Sequence, residues 1–164
     1  LSAETSVGKY PIRVIEFMNS IITDIESDRR AYYKGVKPDA SSPSFASDEI
    51  CFTAVRMSDH LKAKSIVGMT RSGYSALEIS SYRPRAEIYI FTNNKPLLKS
   101  MSLVWGVRGF YYDKYESTDQ TFTDVIEVLQ SNGLVKKDDI VIHTASMPIK
   151  QKSMANSIKI SVVE

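Results

Sequence analysis

Cysteine is almost missing from this chain. Cys51 is the only one in 164 residues, which excludes an intramolecular disulfide and a cysteine-based zinc site. Charge of one sign is equally scarce: 21 basic against 19 acidic side chains leave a formal net charge of +2, too small to argue for a nucleic-acid partner. No apolar run approaches the roughly 18 residues of a membrane helix. The opening LSAETSVGKYP is polar and has no basic n-region, so a signal peptide is not indicated. Neither G-x-G-x-x-G nor G-x-x-x-x-G-K-[ST] occurs, and the nucleotide-fold signatures go with them. The two histidines, His60 in MSDHLKA and His143 in IVIHTA, form no H-x-x-x-H pair and have no carboxylate-rich loop beside them, so metal ligation has no support. What is left is a globular, cytoplasmic domain that binds rather than catalyses, with neither nucleic acid nor membrane as partner. Leu1 stands where a Met would begin a natural chain, which reads as a processed product or, preferably, a piece of something longer.

Hydrophobic residues make up 43% and charged residues 24%, ordinary for one compact domain with a real core. From Pro11 to about Tyr33, Ile12, Ile15, Phe17, Met18, Ile21, Ile22 and Ile25 recur at helical spacing, and Gly35 and Pro38 end the pattern. KGVKPDASSPS is a loop by composition, and Ser47, Asp48 and Glu49 open a second helix lined by Ile50, Ala54, Met57 and Leu61. The period then alternates. Strands are predicted over 64–70, 87–92, 107–113 and 136–145, with helices over 73–82, 95–105 and 121–133, the last ended by Gly133. The final NSIKISVVE alternates apolar and polar and follows with no room for a crossover helix, so it should pair antiparallel. The fold class is α/β, three-layered: a mainly parallel five-stranded sheet with helices on both faces and an antiparallel C-terminal edge strand.

In such sheets ligands bind beyond the carboxyl ends of the strands. TRSGYS, after the first strand, is the most suggestive of these ends. Thr70, Ser72 and Ser75 offer hydroxyls, Gly73 lets the backbone turn with its N–H groups outward, and a helix follows at once. Backbone donors and the positive end of a helix favour an anion, and Arg71 and Tyr74 complete the turn, Arg71 with a charge-assisted contact. The alternative is a plain helix N-cap, Ser72, followed by a permissive glycine. Lys150 and Lys152 add basic charge between the last two strands, or are a solvated hairpin tip. TNN at 92–94 reads as turn chemistry. Cys51, beside Phe52, reads as a packed core residue rather than a nucleophile. Trp105, before Gly106, reads first as packing and second as a ring stacked on a ligand.

Several segments together resemble the C-terminal domain of pyruvate kinase. LSAETSVGKYP is similar to the family's L-S-G-E-T-A-x-G-x-Y-P, the segment that ends the catalytic barrel. TRSGYSA is similar to T-x-S-G-[RK]-[ST]-A, and YRPRA to Y-R-P-x-A. WGVRGFYYD and KKDDIVIHTA resemble two later stretches in the right order. The resemblance implies residues 1–11 as a remnant of the barrel's end and 12–164 as the C-terminal alpha/beta domain. It implies a parent enzyme that moves a phosphoryl group from phosphoenolpyruvate to ADP with Mg²⁺ and usually K⁺. The residues for that would lie N-terminal to Leu1, so this chain would be inactive alone and hold no cofactor, although Glu4 and Thr5 fall in a segment that runs close to the active site in the family.

The resemblance also implies a regulatory and tetramer-forming domain. Its effector would be a sugar phosphate or nucleoside monophosphate, held at Thr70, Arg71, Ser72, Gly73, Tyr74 and Ser75 and closed over by the loop Ala145–Ser153, with Lys150 and Lys152. Two departures count against fructose 1,6-bisphosphate. Tyr74 stands where responsive relatives often carry Arg or Lys, and ASMPIKQKS replaces a glycine-rich closing loop. Rival readings are a purely structural tetramer-interface domain without an effector, and a free-standing small-molecule-binding domain that shares only the fold. The edge strand NSIKISVVE suits pairing across a subunit interface.

Overall fold

The structure is a computed structural model that describes residues 2–34, 36–114, 117–148 and 153–164. Its contacts divide into two units, Leu1–Tyr32 and Tyr33–Glu164. The first unit holds α1 (Ala3–Ser6), α2 (Pro11–Ser27) and a 3₁₀ turn, Arg29–Ala31. Pro11 takes the first turn of α2, where a missing N–H costs nothing. The helix stops at Ser27, short of the expected Tyr33. Asp28 is extended there, and its carboxylate accepts from the Arg30 N–H at 2.8 Å, capping the 3₁₀ turn instead. The Arg30 guanidinium donates to the same carboxylate and holds it below the usual carboxylate range.

The second unit runs α3 (Phe45–Leu61), β1 (Ser65–Met69), α4 (Tyr74–Ser81), β2 (Glu87–Thr92), α5 (Lys95–Met101), β3 (Val107–Tyr111), α6 (Thr118–Ser131), β4 (Ile140–Ala145) and β5 (Ser157–Val162). The strand order is β3-β2-β1-β4-β5. The first four strands are parallel, and β5 lies antiparallel on β4 with Ile142 opposite Ile160. This is the expected three-layer sheet, because successive residues of the central strands alternate between two buried faces. Ile66, Ile88, Ile90 and Ile142 pack with Cys51, Ala54 and Val55 of α3 and Ala76 and Ile79 of α4. Val67, Tyr89, Phe91 and Val141 pack on the other side with Val125 and Leu129 of α6. Gly133 ends α6 as expected: it takes φ +67°, and the Leu134 N–H reaches back to Leu129.

The chain runs outward from β1 through β2 to β3 and then crosses to β4 on the other side of β1. The connections therefore diverge between β1 and β4, and the crevice at their carboxyl ends is the switch point of the sheet.

His143 is a buried polar residue on the α6 side of the sheet. It is 1% exposed, its ring lies 4.7 Å from that of Phe122, and neither ring nitrogen has a partner among the described residues. Burial, followed by the nearby Lys159 charge, pushes its pKa down from 6.5 to about 4. The unfolded chain therefore takes up the proton first. The stability gained from a neutral His143 is complete above pH 6.5 and is lost as the pH falls toward 4. The loss is about 3 kcal/mol at most, since each tenfold change in proton affinity is worth about 1.4 kcal/mol. Urea denaturation at pH 7.5 and at pH 4.5, on the native chain and on His143→Leu, checks this: the variant should lose distinctly less stability between the two pH values.

Candidate functional site

At the switch point a cleft of about 760 Å³ opens, lined by the turn after β1 (Thr70, Arg71, Ser72, Tyr74, Ser75), by Asn93 and Asn94 after β2, and by Ser146 after β4. Ser47 of α3, Met69, and Ser153, Met154 and Ala155 ahead of β5 complete the wall. The volume is that of a typical small-molecule site. All the residues expected at the turn except Gly73 thus come together on one cleft. Gly73 does not line it but shapes it. Its φ is +86°, which strains any L side chain, and a Cβ there would also press on Leu97 Cδ1 at 2.7 Å. Lys150 and Lys152 lie outside the described residues.

The detail of the turn corrects two expectations. Gly73, not Ser72, is the N-cap of α4, and its N–H does not face outward: it donates to Thr70 Oγ1 at 3.0 Å. The Tyr74 N–H donates in turn to Ser72 Oγ at 3.3 Å. Each of these hydroxyls spends lone-pair capacity on the backbone and keeps its own proton to give. The next amides, Ser75 and Ala76, find no acceptor among the described residues, as first-turn amides do. Ser75 Oγ has no partner among the described residues either. Two hydroxyls with protons to donate, a third hydroxyl, two amides without an acceptor among the described residues and the positive end of a helix are chemistry that suits an anion, and Arg71 lines the same cleft.

Neighbouring segments hold the turn in place. Asn94 caps α5 by accepting from the Leu97 N–H and donates its amide to the Arg71 carbonyl, both at 3.2 Å. The expected turn chemistry is present, and it ties the second strand's end to the first. Across the cleft, Asn156 accepts from the Met147 N–H at 2.7 Å and donates to its carbonyl at 2.8 Å. That pair ties Met147 to Asn156, and the hydroxyls of Ser146 and Ser153 meet each other as well.

Tyr74 behaves unlike the cation it replaces in the resemblance. Its phenol donates to Asp48 Oδ1 at 2.6 Å, while Ser44 Oγ donates to Asp48 Oδ2 at 2.7 Å. The carboxylate beside it holds the phenol above its usual range. Asp48 is 8% exposed, and no cation pairs with it among the described residues. Taking Ser47 as the start of the helix hides this wall. The helix begins at Phe45, which turns Ser47 and Asp48 inward on the stripe of Cys51, Ala54, Val55 and Ser58. Polar residues at buried helical spacing are the signal that could have found it.

The other candidates fall where packing puts them. Burial pushes the Cys51 thiol up to about 12, which suits a core residue. Trp105 lies ahead of β3, at the sheet's opposite end, under the Arg83 guanidinium at 4.8 Å. Among the described residues no three His, Cys, Asp or Glu side chains converge as metal ligands. No helix among the described residues is long and apolar enough to cross a membrane.

Fold and cleft together define a doubly wound α/β domain with a polar cleft at its switch point. The family can be stated as well: residues 48–161 match the model for "Pyruvate kinase, alpha/beta domain", and the chain belongs to that family. It is 32% identical to a pyruvate kinase of Lactobacillus delbrueckii subsp. bulgaricus over 99% of its own length and 28% of that protein's. It is 27% identical to one of Clostridium acetobutylicum over 100% and 35%, and 28% identical to plastidial pyruvate kinase 2 of Arabidopsis thaliana over 99% and 28%. The chain thus spans about a third or less of the length of these curated relatives.

The Tyr74–Asp48 bond carries a testable load. Tyr74→Phe leaves the buried carboxylate one donor short and should cost about 1–3 kcal/mol, read as a lower urea midpoint with unchanged slope. Gly73→Ala should cost a similar amount through its φ alone, about 1 kcal/mol or more.

Proposed function

We propose that this chain is the C-terminal regulatory and oligomerisation part of a pyruvate kinase, inactive alone, and that it binds a phosphorylated small molecule in the cleft at 70–75. On this reading residues 1–11 are the end of the catalytic barrel and 12–164 the alpha/beta domain. Phosphoryl transfer from phosphoenolpyruvate to ADP, with its Mg²⁺ and K⁺, belongs to the rest of the protein in the cytoplasm. The cradle carries the argument: Thr70 and Ser72 are held by the backbone amides they accept from, with their protons free, beside the unpaired amides of Ser75 and Ala76. Such a site fits a single phosphoryl group on a sugar or a nucleoside.

The partner in assembly is a second copy of the chain. β5 pairs only with β4 among the described residues, and Ile160 and Val162 on it are exposed. An edge of that kind is a template for another strand. The reading of the domain as interface alone rests on this edge and treats the cradle as an ordinary turn.

Thermal denaturation separates the two. Glucose 6-phosphate, ribose 5-phosphate or AMP at a hundred times its dissociation constant should stabilise the chain by about 2.7 kcal/mol. The Ser72→Ala/Ser75→Ala double variant should show no such shift. If none of the three moves the melting temperature of the native chain, the interface reading replaces this one.

A further inference from the structure

The cleft has a wall that the turn motif does not supply, built from the start of α3. Ser47 lines the cleft and is 3% exposed, and its Oγ has no partner among the described residues. A buried hydroxyl without a partner opposes folding, so its presence beside a cleft needs a use. The next residue, Asp48, is buried and without a cation among the described residues, its two oxygens satisfied by hydroxyls from Tyr74 and Ser44. Ser42 extends the row, its hydroxyl 2.8 Å from that of Ser44. Tyr74 itself lines the cleft. One wall therefore presents neutral hydroxyl chemistry backed by an uncompensated negative charge.

We infer that Ser47 contacts the ligand's uncharged, hydroxyl-bearing portion and that Asp48, acting through Tyr74, selects against a second phosphoryl group, so that the cleft takes a monophosphate ester of a polyol. The inference rests on the reading of the 70–75 turn as a phosphate cradle. Its physics is a division of labour. Arg71 and the cradle attract one dianion, whereas a second, drawn toward α3, meets a carboxylate in a medium that screens it poorly. A hydroxyl placed there pairs with Ser47 Oγ and completes a donor that otherwise goes unused. Ser47 is a binding residue on this account, and Asp48 a positioning and selectivity residue.

The test uses the 164-residue chain and three probes, inorganic phosphate, glucose 6-phosphate and fructose 1,6-bisphosphate, with affinities read from titrated melting shifts. Ser47→Ala should weaken glucose 6-phosphate about tenfold, the scale of one lost hydrogen bond. It should leave inorganic phosphate unchanged and should not lower the melting temperature of the unliganded chain. Asp48→Asn, which keeps the shape, should raise the affinity for the bisphosphate relative to glucose 6-phosphate by about tenfold or more. Unchanged glucose 6-phosphate affinity in Ser47→Ala, or an unchanged ratio in Asp48→Asn, overturns the inference. In either case, phosphate binding that is present in the native chain and abolished in Ser72→Ala/Ser75→Ala leaves the cradle standing. If none of the three probes binds the native chain, the cradle reading fails and the inference falls with it.

Discussion

β1 is the constraint on which the second unit depends. It is hydrogen-bonded to β2 on one side and β4 on the other, and Ser65 to Gly68 are buried on both faces. A strand held in this way has no freedom of register: a slip of one residue would exchange Ile66 for Val67 against α3 and α6 and leave both cores misfilled. Its end therefore arrives at a fixed point, and the turn that follows inherits that position. The turn is accurately placed because the strand beneath it has nowhere else to go.

Much of this is readable in the residues. The alternation of short apolar runs with helical stretches marks four strands and the apolar–polar alternation of NSIKISVVE the fifth, and β2 lies where EIYIFT places it, at Glu87–Thr92. The helix ends are harder. Periodicity carries α5 to Trp105, but the helix stops at Met101, where Ser102, Leu103 and Val104 close back on Lys99, Ser100 and Met101 through short-range bonds. Composition starts β4 at Lys136, but the strand begins at Ile140, because Asp138 takes φ +71° and Asp139 accepts from the Lys136 N–H. Local hydrogen bonds of this kind compete with regular structure at a scale that periodicity does not register.

The turn at 70–75 is legible as a place, since its residue types and its position after a strand both point there. Its wiring is not. Which hydroxyl takes which amide depends on the φ of Gly73, and Leu97 and Met101 from α5 crowd that glycine from a distant part of the chain. The same holds for the α3 wall. Asp48 matters because Tyr74, 26 residues beyond it, donates to its carboxylate; helical spacing can mark Ser47 and Asp48 as inward-facing, but it does not show that partner.

Trp105 has a consequence of its own. It is the single tryptophan of the chain, and it precedes β3, whereas the cleft lies beyond the other ends of the same parallel strands. Its indole rests under Arg83, and its carbonyl accepts from Ser80 at the end of α4, the helix that starts at the 70–75 turn. The molecule thus carries a built-in fluorophore that no ligand in the cleft touches. A change in its emission on binding would report a displacement transmitted through the protein to the other end of the sheet, so the optical signal measures transmission rather than occupancy.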